Sequence, residues 1–432
     1  MGAPMRRMNV VTVAASLVAT SLVATSLALG VVVGFAVPAG AQAPASGATA
    51  FEGARLIVGD GRAPIENATL VVEGARIVQA GRAADVRVPA GATHVSLTGK
   101  TVMPTLIDTH VHLSATRESV IRDLRRRAYF GVSAALSLGQ DSYDLLDIRE
   151  QRIPGAARFF SAGRGITMPE PGRIAVSQQH WITSEADGRK AVQELAEKKV
   201  DIVKVWVDDR AGQFKKLTPE FYAAIIDEAH KHGLRVTAHI FNMDDAKGLI
   251  RAGVDAFAHG VRDKDIDDEM VELYKKRADM VVTPNMPDRG VKTDLSWLRP
   301  GLPAADFEKI EAANIDRPRE QLFHGIQARN LAKINAAGVR ITLGTDGNRA
   351  WRPHEQMEDM VLAGMTPMQV IVAATRNSAG IVRMTDASTL EAGMSADFIV
   401  LDANPLDNIT NTRRISSVIL RGAPVDHAQP VR

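Results

Sequence analysis

Six residues of this chain could together hold divalent metal ions: His110, His112, Lys204, His239, His259 and Asp346. Five of them close an apolar strand pattern, and Lys204 sits within one. His110 and His112 stand in "TLIDTHVHL". A strand repeats its side-chain direction every two residues, so both imidazoles point to one face. Two imidazoles on one face can bind one metal ion without distorting the backbone. Alone, the pair reads equally well as two core or surface histidines. His239 ends "LRVTAHIF" and His259 ends "VDAFAHG"; each, taken singly, is also readable as a hydrogen-bonded structural histidine. Asp346 ends "VRITLGTDG", where Thr342, Gly344 and Asp346 share a face. A buried carboxylate without a cation is costly, so a metal neighbour is the simpler account.

Lys204 lies in "VDIVKVWVDD". Val203, Val205 and Val207 form a face that packs outward onto helices, while Ile202, Lys204 and Trp206 face inward. Burial disfavours the charged amine, so its pKa should fall. A neutral amine can add CO2 to give a carbamate, an anionic two-oxygen group able to bridge two metals. The alternatives are a lysine snorkelling at the strand end, or one paired with Asp208 or Asp209.

Residues scattered over so much sequence need a fold that gathers them. Strands and helices alternate through the middle of the chain. "LTPEFYAAIIDEAHKHG" reads as a helix with Thr218 as N-cap, Pro219 at the first position and Gly233 as the stop. "TPMQVIVAATRNSAG" repeats this with Thr366, Pro367 and Gly380. Eight strands are expected, ending near His112, Leu138, Ala162, Lys204, His239, His259, Pro284 and Asp346. The alternation predicts an α/β fold, a (β/α)8 TIM barrel whose strand C-terminal ends build the site. Residues 285–315, rich in Pro, Gly and charge, are expected to form a long loop over it. Residues 51–103 and the stretches "ADFIVLDANPL" and "SSVILRGAPV" are β-branched runs ended by turns. They predict a small β-sandwich formed by both chain termini. The expected divisions are 44–104 and 386–432 for the sandwich and 105–385 for the barrel.

Residues 1–43 read as a signal peptide. Arg6 and Arg7 form a basic start, no charge follows from Asn9 to Ala50, and Ala41-Gln42-Ala43 is a cleavage pattern. The alternative is an uncleaved membrane anchor. Cleavage would make the protein periplasmic or secreted, with no other membrane contact. It would also remove two of the 52 basic residues, leaving 50 against 50 acidic ones. No basic excess is then left to neutralise phosphates, so no nucleic-acid partner is expected. The chain has no cysteine, which excludes disulfides, thiolate ligands and a cysteine nucleophile.

The order of the six residues resembles that of the amidohydrolase superfamily: His-x-His after strand 1, Lys after strand 4, His after strands 5 and 6, Asp after strand 8. "GKTVMPTLIDTHVHL" is similar to that family's entry motif, with Thr105 where Gly is usual, and "LEAGMSADFIVLDANPLDNI" to its returning sandwich strands. "HGLRVTAHIFNMDDAKGLIRAGVDAFAHGVRD" looks like the branch of imidazolonepropionase-like enzymes and Xaa-Pro dipeptidases. The resemblance implies two divalent ions, zinc fitting the donor set. One would be held by His110, His112 and Asp346, the other by His239 and His259, with carboxylated Lys204 bridging. It also implies hydrolysis of a C–N bond in an amide, peptide-like or cyclic amide substrate, with Asp346 as general base and later general acid. An ester, lactone or phosphotriester hydrolase on the same site is the alternative. A scaffold that has lost catalysis is disfavoured, since all six ligands are present.

The partner expected is a small-molecule substrate, and a homo-oligomer is compatible with the sequence. Arg262, three residues after His259, could bind a substrate carboxylate, or else pair with Asp263. Arg210 is a second candidate. His354 either binds substrate or starts a helix. Trp297 and Trp351 either line the pocket or belong to the core. His94, His180, His230, His232, His324 and His427 match no ligand position and read as surface or packing residues.

Overall fold

The computed structural model describes residues 47–173 and 178–428. The expected signal peptide, 1–43, lies outside them. No helix of the described residues is long and apolar enough to cross a membrane.

The described chain opens with five strands: β1 (Ala48–Leu56), β2 (Ile65–Glu73), β3 (Arg76–Arg82), β4 (Thr93–Ser96) and β5 (Thr101–Pro104). β1, β2 and β3 form an antiparallel meander. β1 pairs in parallel with β4 through Thr49–Glu52 and with β5 through Arg55 and Leu56, so the sheet branches there.

The barrel strands follow: β6 (Leu106–Val111), β7 (Val132–Ser137), β8 (Arg158–Ser161), β9 (Gly165–Thr167), β10 (Gln179–Trp181), β11 (Val203–Val207), β12 (Val236–Ile240), β13 (Ala256–Phe257), β14 (Val281–Val282) and β15 (Arg340–Ile341). They form two parallel sheets, β6-β7-β8 and β10-β9-β11-β12-β13-β14-β15. Backbone hydrogen bonds join the sheet edges. On one side the Asp201 N–H donates to the Ser161 carbonyl and the Gly165 N–H to the Gly139 carbonyl. On the other, the Thr109 N–H donates to the Leu343 carbonyl, and the Thr345 and Asp346 N–H groups both donate to the His110 carbonyl. This is the expected TIM barrel.

Its inner face is small and apolar, with Ile107, Ala134, Leu136, Ala162, Ile202, Ala256 and Ala258 among the buried residues. Helices cover the outer face, including α1 (Arg117–Tyr129), α2 (Glu185–Glu197), α3 (Pro219–Lys231), α4 (Met243–Arg251) and α5 (Asp268–Lys275). Val203, Val205 and Val207 pack outward against α2 and α3 side chains such as Val192 and Ile225, as the two-residue period predicts.

Thr218 and Pro219 start α3, and Gly233, at φ +68, follows its end. The 285–315 segment is not a bare loop. It carries α6 (Ala304–Ala312) and precedes α7 (Pro318–Ala336). After β15 come α8 (Arg352–Leu362), α9 (Pro367–Val372) and α10 (Ser378–Ile381). Thr366 caps α9 with a full capping box. Gly380 is not the stop. Thr375 Oγ1 bonds the Ile371 carbonyl and Ser378 Oγ the Ala373 carbonyl. These bonds carry the chain through a wide turn at Ala373–Asn377 into α10, which contains Gly380.

β16 (Phe398–Leu401), β17 (Ile415–Leu420) and β18 (Ala423–Pro424) return to the first sheet, β16 pairing antiparallel with β5. Both chain ends therefore close over one core of Leu56, Leu70, Val72, Val102, Phe398 and Val400, which is the expected sandwich.

Candidate metal centre

His110, on β6, is fully buried. Its Nδ1 lies 3.0 Å from the Ala258 carbonyl. A carbonyl only accepts, so Nδ1 carries the proton and Nε2 presents a lone pair. That Nε2 is buried, has no hydrogen-bond partner and lies 3.3 Å from Asp346 Oδ1. His112 Nε2 is 3.2 Å from the same oxygen. His259 Nε2, also buried and partnerless, is 3.7 Å from Asp346 Oδ2. The ring centres of His110 and His259 are 4.9 Å apart, those of His110 and His112 5.2 Å, and those of His239 and His259 4.5 Å. Among the described residues, ligand atoms of His110, His259 and Asp346 lie within 4.8 Å of one another.

His239, on β12, joins the ring cluster but turns one nitrogen away. Its Nε2 is 2.8 Å from Asp208 Oδ2. Arg210 Nη1 lies 3.1 Å from the same Nε2; with the shorter contact to the carboxylate taking the Nε2 proton, Nδ1 is left as the donor atom. Carboxylate–histidine pairs of this kind fix the tautomer of metal-binding histidines. Arg210 Nη1 holds Asp208 at 2.6 Å, and Arg210 Nε reaches Glu170 at 3.3 Å. Arg210 is thereby committed to carboxylates of the protein itself. Burial, more than any neighbouring charge, drives the pKa values of His110 and His239 well below the usual histidine value. Both imidazoles are neutral, the form a metal needs.

Lys204 Nζ is buried with no hydrogen-bond partner, and Asp208 is engaged elsewhere. Burial lowers its pKa from 10.5 to about 7. The Lys204 charge bears on both His110 and His239. The amine lies 5.3 Å from the centre of the Trp206 ring. Trp206 fits there because Gly139 and Gly165 lack a Cβ. One added at Gly139 would stand 2.5 Å from the indole, and one at Gly165 2.1 Å.

Asp346 departs from the expected strand geometry. Its φ is +52, and its side chain is 37% exposed at the barrel mouth rather than buried. The twin N–H donation to the His110 carbonyl bends the backbone there, and the carboxylate swings over the histidines. The loss of water on its inner side raises its pKa, but His110, His112 and Arg262 together hold it well below the usual carboxylate value.

Three supports were not read from sequence. Asp108 and Arg127 form a fully buried pair at 3.0 Å. Asp108 Oδ2 also accepts from Thr345 Oγ1 at 2.7 Å, and Arg127 Nη2 reaches the Gly347 carbonyl. Together they tie β6 to the turn that carries Asp346. Asn285, after β14, donates to the Ala258 carbonyl that His110 also uses. Asp208 is the third. Asp108 left a signal, since D-x-H-x-H puts it on the His110 face; the others show only as contacts in space.

Arg262 does not pair with Asp263, which instead accepts the Met243 N–H. Its guanidinium lies against His259 Nδ1, and its Nε is buried without a partner. His354 is a packing residue. It is buried between Thr412 Oγ1 at 3.1 Å and the Phe130 carbonyl at 2.9 Å, and burial lowers its pKa to about 4. Trp297 and Trp351 belong to a core cluster with Tyr129, Phe130, Leu298 and Phe307.

A model of the Amidohydrolase family matches residues 101–425. A solved structure of a putative prolidase from Bifidobacterium longum superposes with a TM-score of 0.73 and 27% identity, covering 90% of this chain and 97% of that one. Ochratoxinase of Aspergillus niger is 25% identical over 406 residues, covering 82% of this chain and 81% of that protein. Imidazolonepropionase of Shouchella clausii is 24% identical over 379 residues, covering 78% and 80%.

Proposed function

We propose a function from one premise: this chain belongs to the amidohydrolase family, in the branch like imidazolonepropionases and Xaa-Pro dipeptidases. The reading is a binuclear metal-dependent hydrolase of a C–N bond in an amide, peptide-like or cyclic amide substrate. One observation carries it: the partnerless Nε2 atoms of His110 and His259, with His112 Nε2, converge on Asp346 beside a buried, partnerless lysine. Buried polar atoms without partners are rare and need an explanation. A metal cage supplies one for each of them.

His110, His112 and Asp346 would hold one ion, and His239 and His259 the other. Lys204, neutral in part at pH 7, would add its nitrogen to CO2 and lose one proton. The carbamate formed would give each ion an oxygen. When bound, two divalent ions, zinc by donor type, polarise a carbonyl and lower the pKa of water toward neutrality. Asp346, ionised at neutral pH, takes the proton of the attacking water and returns it to the leaving nitrogen. Arg262, cationic and without an acidic partner, receives a substrate carboxylate. Residues 1–43 direct export to the periplasm or the medium.

Lys204→Ala tests this. Turnover should vanish, bound metal should fall below two ions per chain, and a short acid such as propionate should restore part of the activity. The assay panel is dipeptides, N-acyl amino acids and aryl esters. Full activity of the variant, or wild-type activity after complete metal removal, would overturn the reading. A preference for the esters would replace amide hydrolysis by ester hydrolysis on the same groups.

A further inference from the structure

A cavity of about 290 Å³ lies between the segment after β14, the C-terminal part of α6 and the turn from β15 into α8. All three border the C-terminal ends of the strands, so the cavity opens on the same face as the histidine cluster. Arg349, in its wall, follows Asp346 by three residues. Their Cα atoms are therefore within ~11 Å of each other by chain reach alone.

The charges around this cavity do not balance. Arg289, Arg317, Arg352 and Arg413 are matched by Asp288, Glu355, Glu358 and Asp359 in a closed set of ion pairs. Lys309 and Arg349 line the same cavity. Among the described residues, neither side chain has an ion-pair or hydrogen-bond partner. Two positive charges are left over, facing one space.

A second observation concerns apolar surface. Four large hydrophobic side chains are exposed among the described residues: Val291, Ile315, Leu322 and Leu362. Val291 and Ile315 both line this cavity, and Ile315 is 57% exposed. Exposed apolar side chains gathered at one concave site mark a place that something apolar covers.

We propose that this cavity binds an organic anion with an apolar body, an aryl or alkyl carboxylate, its charge held by Arg349 and Lys309 and its body lying on Val291 and Ile315. At ~30 Å³ per water-sized group, the volume admits about ten non-hydrogen atoms. Phenylacetate has this size and both characters. None of the six candidate metal ligands lines the cavity, and the proposal does not rest on the hydrolytic reading, because its test reads binding.

The experiment is calorimetric titration of the full, metal-loaded protein with phenylacetate at low salt. The expected result is one saturable site per chain. Phenylacetamide, which lacks the charge, and acetate, which lacks the ring, should each bind at least tenfold more weakly. The double variant Arg349→Gln/Lys309→Gln should weaken phenylacetate at least tenfold, with an unchanged circular dichroism spectrum. Arg262→Gln should leave its affinity within about twofold. Undiminished binding by the double variant would overturn the proposal, as would a loss confined to Arg262→Gln, which would move the ligand to the metal centre. If the double variant fails to fold, salt decides on the wild type. Affinity must fall steeply between low and high salt, since an exposed charge pair is screened; salt-independent binding would overturn it. Phenylacetate acting as a competitive inhibitor would identify the anion as part of the substrate. Binding without competition would identify a separate small molecule. Either result upholds the site.

Discussion

The two halves of the candidate metal-binding cluster are built in opposite ways. On the β6/β15 side every support is in place. The Ala258 carbonyl fixes the His110 tautomer, the His110 carbonyl fixes the Asp346 backbone, and Asp108, with Arg127 behind it, holds Thr345. On the β11/β12 side His239 is braced from behind by Asp208, but Lys204 Nζ has no hydrogen-bond partner among the described residues. One half is finished by hydrogen bonds. The other is built by exclusion, with Trp206 close by and solvent removed, and burial lowers the pKa of the amine. Geometry alone makes one half of this site; on the proposed function, a carbamate on Lys204 would complete the other.

Beyond the loss expected of Lys204→Ala, the largest effect falls on the finished half. Asp346→Asn keeps the shape and removes both the charge and the proton acceptor. Turnover should drop ~10²–10⁴-fold, measured with whichever substrate the panel identifies. A variant of near-normal rate would show that the proton is handled elsewhere. A smaller effect is expected at the support beneath it. Arg127→Met leaves Asp108 buried and uncompensated, which should cost ~3–5 kcal/mol, read as a lower urea midpoint. An unchanged midpoint would mean that Asp108 simply takes up a proton, and the two halves would then differ less than their hydrogen bonds suggest.

The smallest effect sharpens the other half. Burial lowers the Lys204 pKa from 10.5 to about 7 in the folded protein. Between those values the unfolded chain binds a proton that the folded one does not. Stability of the metal-free protein should therefore rise with pH from about 7 to about 10.5, and Lys204 should contribute no slope below 7. Unfolding at pH 7, 8.5 and 10 measures this, and Lys204→Met should flatten the rise. An identical slope in the variant would remove the case for a neutral amine.

The fold and the histidines were legible because strand period and helix punctuation are local signals. Lys204 was legible for the same reason, an amine inside a valine-rich strand. Asp346 was legible in identity but not in pose, since period-two counting has no term for a backbone that turns to φ +52. Gly380 misled because the chain runs on past it to Ile381, and the left-handed residue that follows the helix is Arg383, at φ +52, not a glycine. Asn285, Asp208 and the space that Gly139 and Gly165 leave for Trp206 lie far in sequence from what they support, and no window along the chain joins them.

The His110 carbonyl, accepting from both Thr345 and Asp346, closes the barrel between its first and last strands. The cluster therefore has no early, partial form. A chain still emerging, with Asp346 not yet made, presents histidines that lack their carboxylate and a barrel that lacks its seam. On the proposed function, metal loading would wait for a completed chain, and an exported copy that folds only after crossing a membrane would take its ions from the far side.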